Sequence, residues 1–541
     1  MNEKPMKRQS FLHGAAILAL GTMLVKLIGA CYKIPLGNII GDDGYGYFTT
    51  AYDIYAVLLT ISTAGLPVAM SRMISASQAL GNHAQIKRVY QASLCVFLPI
   101  GIIGCGGMLL FSRQLAAFME QPNAWASIAA LAPAVFFVCV ISSYRGFFQG
   151  QSNMIPTSVS QVFEALCKLL LGLGAAWLVM ERTGDVALAA GGAILGVTVG
   201  TVISAAYLSL KHKRAAAWLS SHGGDAAPIG ATVRELLAIA IPITIGAAGL
   251  QLINLVDAKI VMTQLKGYLT QTEADGLKGI YNFCQTLFNL PAAFIVPITV
   301  SIIPSITGYL TKGDKEAAAS VEASAIRITG LLGLPCGLGL AALASPILVL
   351  LRHYGQAQLA TGQPVLFIFG VAVIFNCLVL LTNAMMQAHG NVSTPLIDML
   401  IGGIVKVVVN FILVSRPELN IIGAPIGTLC CYITILALNL FAMRRMLGER
   451  CPRTVRLLLK PLAASLVMGA AAWAAQGLLL RSLHSNALSC LGGMAAAVAV
   501  YAVMVVALRI ITLEDCMLLP KGEKLARLLR IPGSGGPAGP S

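Results

Sequence analysis

Apolar runs long enough to cross a bilayer recur along the whole chain, at about residues 11–36, 46–70, 90–111, 125–148, 157–180, 187–210, 235–262, 280–308, 324–350, 364–387, 395–415, 421–443, 458–480 and 487–511. Each supplies the roughly 20 apolar residues that a helix needs to span a hydrocarbon core of about 30 Å. A membrane β-barrel would instead alternate polar and apolar positions over strands of about ten residues. The pattern therefore predicts an all-α polytopic membrane protein with about 14 transmembrane helices. The first run follows Lys4, Lys7 and Arg8, as in a signal peptide. Lys26 interrupts it, the apolar stretch then resumes, and no small-residue cleavage site is clear, so it reads as a retained helix.

The segments between the runs are short. The longest, 211–234, is basic and then rich in Gly and Ala, too small for a catalytic domain. With the N-terminus inside, about 24 Lys and Arg fall on the cytoplasmic side, at 4–8, 72–88, Arg145, 211–234, 312–315, 444–460 and 509–530, against about 7 on the other side. The asymmetry predicts a multi-pass protein with both termini in the cytoplasm. Composition agrees, with 57% hydrophobic and 11% charged residues, where a water-facing surface takes roughly 25% charged. In a soluble protein the formal charge of +15 would suggest nucleic acid. Here most of the surplus sets orientation, and no nucleic-acid partner is expected.

The 13 Cys residues are scattered through apolar runs and read as small hydrophobes, so no metal site is expected. HExxH, P-loop and GxSxG patterns are missing, which assigns no catalytic residues and disfavours an enzyme. Asp42-Asp43, the nearest thing to a polyprenyl-phosphate transferase carboxylate pair, is better explained as an outer turn.

The chain also repeats. KIPLGNIIG at 33–41 aligns with KIVMTQLKG at 259–267, and Pro67 and Ser71 with Pro297 and Ser301. Gln149, Asn153, Pro156 and Lys168 align with Gln387, Asn391, Pro395 and Lys406. The offset drifts from about 226 to about 239, as loop-length differences require. Predicted helices 1–6 and 7–12 thus form two six-helix lobes in a parallel pseudo-twofold repeat, since six is even, with two extra C-terminal helices. The domains read as an N-lobe at 1–210, a basic cytoplasmic linker at 211–234, a C-lobe at 235–443, helices 13 and 14 at 444–511, and a cytoplasmic tail at 512–541 with a disordered end.

Ionisable groups near a bilayer centre cost at least about 2.5–3.5 kcal/mol on insertion scales, so each needs a reason. Lys26 and Lys33 lie nearly two turns apart on roughly one face, about 10 Å apart along the axis, a spacing suited to a pyrophosphate. Lys33, near the helix end, is also placed to snorkel. Lys259 is the repeat counterpart of Lys33, and Asp257, two residues earlier, points elsewhere on the helix. Glu164 and Lys168 have the i,i+4 spacing of an ion pair that would let the helix insert. Asp398 and Lys406, eight residues apart, share a similar face, and Lys406 is the repeat partner of Lys168. Lys26, Lys33, Lys168, Lys259 and Lys406 are the candidate substrate-binding residues.

Asp53 has no Lys or Arg at i±3 or i±4, and a lone carboxylate in the membrane tends to hold a proton or a cation. Asp53, Glu164, Asp257 and Asp398 are the candidate ion-coupling residues. Arg145 and Arg327 sit near helix ends, where an interfacial anchor competes with a buried role. Gly192, Gly196 and Gly200 form a small-xxx-small ladder that reads as close helix packing. Predicted helix 8, with Pro291, Pro297 and Pro304, is the best candidate for a bending gate.

The run KLIGACYKIPLGNIIGDDGYGYF with the following AYDIYAVLLTISTAGLPVAMSRMIS resembles the start of the stage V sporulation protein B-like polysaccharide transporter family. YRGFFQGQSNMIPTSVSQVFEALCK and MQAHGNVSTPLIDMLIGGIVKVVVN resemble its later segments, and the resemblance runs from about residue 7 to about residue 510. The family is part of the multidrug/oligosaccharidyl-lipid/polysaccharide exporter superfamily and related to MurJ-type lipid II flippases. The resemblance implies a V-shaped, two-lobed flippase that moves lipid II or a similar polyprenyl-pyrophosphate saccharide across the bacterial plasma membrane by alternating access, for peptidoglycan or polysaccharide synthesis. It also implies that paired basic residues of the first helix, matched by Lys26 and Lys33, line a cavity. Its implied partners are the lipid-linked saccharide, membrane lipids and cell-wall synthesis proteins, with no cofactor beyond a coupling cation, Na+ or H+, or the membrane potential. The rival within the superfamily is an ion-coupled multidrug or small-cation antiporter. Deep amines at Lys26, Lys168 and Lys406 favour an anionic substrate.

Overall fold

The computed structural model describes residues 11–220, 225–448, 451–452 and 454–511. The tail at 512–541, part of the linker, and the charges Lys4, Lys7, Arg8, Arg450 and Arg453 lie outside the described residues. Among the described residues every regular element is a helix. In chain order these are α1 (Phe11–Thr63), α2 (Leu66–Ala79), α3 (His83–Leu110), α4 (Ser112–Phe118), α5 (Trp125–Gly150), α6 (Ile155–Cys167), a π-helical turn (Lys168–Gly172), α7 (Leu173–Thr183) and α8 (Val186–Ser220). There follow α9 (Ile229–Lys266), α10 (Gln271–Phe288), α11 (Ala292–Thr311), α12 (Lys315–Ala342), α13 (Ala344–Arg352), α14 (Gln356–Ala388), α15 (Ser393–Val414), α16 (Gly423–Leu447), α17 (Thr454–Leu483) and α18 (Asn486–Ala507).

Twelve stretches among the described residues are long and apolar enough to cross a membrane, against about fourteen expected from the hydropathy windows. Two of the windows merge, because residues Leu20–Ala79 form one 60-residue stretch. Its first helix breaks only at Gly41, where φ 69° and ψ −171° are open to glycine without strain. The window at 280–308 is divided between α10 and α11.

The repeated segments share local backbone as well as residues. Gly81 (φ +69°) and Asn82 join α2 to α3, and Gly313 (φ +78°) and Asp314 join α11 to α12. In each case the Asx side chain caps the new helix, accepting from Gln85 N at 3.0 Å or from Ala317 N at 2.9 Å. Farther along, Phe111 (φ −103°, ψ 18°) separates α3 from α4 as Leu343 (φ −105°, ψ 22°) separates α12 from α13.

The helices pack as two units. One holds the residues up to Phe283 together with Asn410–Ile421, and the other holds Cys284–Val409 and the residues from Ile422 onward. The first unit includes α9, which the repeat assigns to the head of the second lobe. It packs on α1, α2 and α3: Gly65 lies so close to α9 that a Cβ there would stand 2.2 Å from the Ala240 carbonyl oxygen, and Leu236 and Ala240 join a core with Met70, Ile74 and Phe97. In the second unit α17 and α18 pack on each other and α17 also packs on α12. Residues such as Ile103, Leu110, Leu170 and Val498 are exposed, the outward apolar surface expected of helices solvated by lipid.

The Gly192, Gly196 and Gly200 ladder is indeed a packing device. A Cβ at Gly192 would meet Ala175 O at 3.2 Å, one at Gly196 would meet Gly172 N at 2.3 Å, and one at Gly200 would meet Glu164 O at 3.1 Å. The ladder lets α8 lie backbone to backbone along the helix that carries Glu164 and Lys168.

Candidate substrate site

Beyond Gly41, α1 carries an aromatic stripe at Tyr45, Phe48, Tyr52 and Tyr55, the three-and-four spacing of one helix face. Phe48 and Tyr52 have ring centroids 4.9 Å apart, and Tyr52 and Tyr55 meet edge-on at 5.9 Å. Tyr32, on the other arm of α1, lies 5.9 Å from Phe48 and donates its hydroxyl proton to Ala193 O of α8 at 3.1 Å. The missing side chain of Gly172 makes room for it, since a Cβ there would stand 3.1 Å from the Tyr32 ring.

Into this aromatic face projects Lys168. Its Nζ lies 4.6 Å from the Tyr52 ring centre, 4.9 Å from Tyr32 and 5.6 Å from Phe48. All three rings are within the range at which a cation is attracted to an aromatic face. Lys168 also opens the π-helical turn that separates α6 from α7. Such single widened turns recur at functional sites, where they re-aim side chains. Lys33 of α1 lies within electrostatic reach of both Lys168 and Asp53.

Two expectations change here. Glu164 does not pair with Lys168. It pairs with Arg145 of α5 at 2.8 Å, and Ser160 Oγ accepts from the same guanidinium at 2.9 and 3.1 Å. The backbone between them is regular α-helix, but the amine of Lys168 turns to the rings of α1. Asp53 in turn is no lone carboxylate, because Lys33 is its electrostatic neighbour. Its partner comes from the other arm of the kinked helix, twenty residues away in sequence, where no i±3 or i±4 inspection reaches.

Arg145 is thus a partly buried ion-pair member rather than an interfacial anchor, with side-chain exposures of 16% for Arg145 and 26% for Glu164. Removing one partner leaves the other uncompensated. Arg145→Met is expected to destabilise the protein by about 2 kcal/mol, less than a fully buried pair would lose. Thermal unfolding in detergent should show the loss, and Glu164→Gln should restore most of it in the double variant. Equal stability of R145M and wild type would argue against the pairing.

The remaining candidates lie apart from this cluster. Lys26 is exposed on α1 and makes no ion pair among the described residues. Lys259 is half-buried with its Nζ 3.6 Å from the ring centre of Phe118, the last residue of α4. Asp257 is buried and accepts from Asn410 Nδ2 at 2.5 Å. In the second unit, Asp398 is buried with one carboxylate oxygen lacking a hydrogen-bond partner among the described residues, and Lys406 is half-buried two turns farther along α15.

Sequence reasoning missed two polar clusters. In the first unit, buried Asp275 of α10 accepts from Gln121 and Gln271, each at 2.9 Å, and from Tyr47 at 3.2 Å. Burial pushes its carboxyl above the usual range, and these three donors oppose the shift. In the second unit, Glu322 of α12 and His389, the residue after α14, meet at 2.6 Å with the carboxylate almost fully buried. The aromatic spacing on α1 is a local signal that the reading of the sequence passed over; the long-range pairs leave none.

The family model described as polysaccharide biosynthesis protein matches residues 11–310. Stage V sporulation protein B of Bacillus subtilis (strain 168) is 24% identical over 526 residues, covering 95% of this chain and 98% of that protein. Lipid II flippase MurJ of the same organism is 24% identical over 479 residues, covering 85% and 87%. Among solved structures, lipid II flippase MurJ in an inward closed conformation matches with a TM-score of 0.67 at 13% identity, covering 91% of this chain and 98% of that one. An inward-facing multidrug resistance MATE family transporter of the MOP superfamily matches with a TM-score of 0.65 at 15% identity, covering 80% and 98%. Where these names state an activity it is that of a flippase or a transporter and not of an enzyme, and this chain shares the helical multi-pass fold of those proteins.

Proposed function

The chain belongs to the polysaccharide biosynthesis protein family, and from that premise we propose that it flips a lipid-linked oligosaccharide, lipid II or a similar polyprenyl-pyrophosphate saccharide, across the bacterial plasma membrane. The observation that carries the substrate class is the Lys168 amine, held among Tyr52, Tyr32 and Phe48 beside Lys33. Two amines in a membrane-spanning unit offer an anionic head the charge that lipid tails do not, and the rings give the sugar an amphipathic wall. Lys26, exposed on the same helix, is proposed as a further contact for the head as it enters. Lys259 and Lys406 stay in the proposal as secondary anion contacts.

Alternating access supplies the movement, with a Na+ or H+ gradient or the membrane potential as the energy source. Asp257 with Asn410 is the best-supported ion-coupling candidate among Asp53, Glu164, Asp257 and Asp398, because it is buried and neighboured by a neutral amide. The surplus of Lys and Arg on alternate loops supports both termini in the cytoplasm. The rival reading, a cation-coupled multidrug antiporter, draws on the likeness to the MATE fold, but the caged amine would repel a cationic drug.

Reconstitution into liposomes is the test. The full chain should translocate fluorescent lipid II or another polyprenyl-pyrophosphate saccharide, and should not move cationic dyes. Transport of dyes alone would overturn the proposal.

A further inference from the structure

In the second unit, α16 ends at Leu447 and α17 begins at Thr454. α17 packs on α12 and α18, and between it and α16 lies an open-sided cavity of about 560 Å³. Leu440, Phe441 and Arg444 line it from α16, and Val455, Arg456 and Leu459 line it from α17.

The order of these residues along the helices matters. Arg444 lies three residues from the end of α16, and Arg456 is the third residue of α17. Both guanidinium groups therefore stand at the same end of two membrane-spanning helices. Leu440, Phe441 and Leu459 lie deeper along them, so charge sits at the mouth and apolar surface below it. Phe441, Val455 and Leu459 are 67%, 74% and 56% exposed, which leaves an open apolar wall. Among the described residues no acidic side chain lines the cavity, and neither arginine makes an ion pair. The first turn of the long α17 adds the partial positive charge of its free N–H groups.

We propose that this cavity is a binding site for an anionic glycerophospholipid of the bilayer, with the headgroup phosphate between Arg444 and Arg456 and an acyl chain along Leu440, Phe441 and Leu459. Arginine matches a phosphate with paired N–H donors, and basic pockets between helices at a membrane face select anionic lipids. A soluble anion would leave the apolar wall unused, and a zwitterionic lipid would set its own cation against two guanidiniums. The site uses none of the residues of the Lys168 cluster and does not depend on the transported substrate.

Native mass spectrometry of the full chain, titrated with phosphatidylglycerol and with phosphatidylcholine of the same acyl chains, tests the site. Wild type should retain phosphatidylglycerol at least about tenfold better, a factor within reach of two charge-assisted contacts. The variant R444Q/R456Q should lose that preference, whereas K168M should keep it. R456Q alone, in an exposed first turn, should lower the preference severalfold and serves where the double variant does not fold. Equal retention of the two lipids by wild type, or an unchanged preference in R456Q, would overturn the site. Competition by inorganic phosphate as strong as by phosphatidylglycerol would overturn its assignment to a lipid. Displacement by a polyprenyl phosphate at far lower concentration would assign the cavity to the substrate instead.

Discussion

Replacement of Lys168 by Met is expected to slow translocation of a lipid-linked saccharide by about tenfold to a hundredfold, the loss of one charge-assisted contact of about 1.5–3 kcal/mol, while the protein folds normally. Met keeps the length and apolar stem of the side chain and removes only the charge. The three rings around the ammonium, at 4.6 to 5.6 Å, would still pack against the thioether, which aromatic edges accept well. The competing view treats Lys168 as the neutraliser of Glu164, and it makes a different forecast. In that case K168M would leave a bare carboxylate, lower stability, and be rescued by Glu164→Gln. Because Glu164 instead pairs with Arg145 at 2.8 Å, E164Q should not rescue K168M, and the two changes should combine additively in stability. Liposome translocation and thermal unfolding of the four proteins in this cycle measure both quantities. Wild-type transport by K168M would remove Lys168 from the site.

Much of this was legible in the chain, and the limits have physical causes. Hydropathy marks a bilayer-spanning helix because twenty apolar side chains have no other stable solvent, so the helical class and most spans could be read directly. It does not resolve where a long helix bends, and the 60 residues from Leu20 to Ala79 ran two windows together. The glycine ladder could be read because close approach of backbones demands small residues at every fourth position. Lys168, Lys33 and Asp53 could be nominated by the cost of their charge, but their partners could not be assigned. The backbone from Glu164 to Lys168 is α-helical, with Lys168 N bonded to Glu164 O, so the spacing permits the pair; the rings of α1 and the guanidinium of Arg145, both from other helices, decide where each charge goes. The aromatic stripe of α1 lies in the spacing of Tyr45, Phe48, Tyr52 and Tyr55 but was not picked out from the sequence, since such a stripe usually means core. It acquires a role only when an amine from another helix is seen among the rings. Glu322 with His389, 67 residues apart, is a contact between two helices that neither sequence segment announces.

Gly196→Val is expected to abolish stable folding or, where protein survives, to remove transport as severely as K168M. The argument rests on what a side chain at that position would strike. A Cβ on Gly196 would stand 2.3 Å from the backbone nitrogen of Gly172 and 2.5 Å from its Cα. Backbone cannot rotate away as a flexible side chain can, so α8 would have to separate from the π-helical turn. Overpacking of this kind costs about 3 kcal/mol or more when the neighbour cannot yield. Gly172 closes the turn that Lys168 opens, and it also makes room for Tyr32, whose hydroxyl is tied to Ala193 on α8. Separation of α8 would therefore displace the caged amine and one of its rings together. Gly192, with its nearest contact at 3.2 Å, and Gly200, at 3.1 Å, have several tenths of an ångström more room, so Gly192→Ala and Gly200→Ala should be tolerated far better than any substitution at Gly196. Detergent-extracted yield, thermal unfolding and liposome transport across these three positions should show that order. Equal behaviour of G196V and G192A would mean that the tight contact between α8 and the widened turn does not hold the site in place.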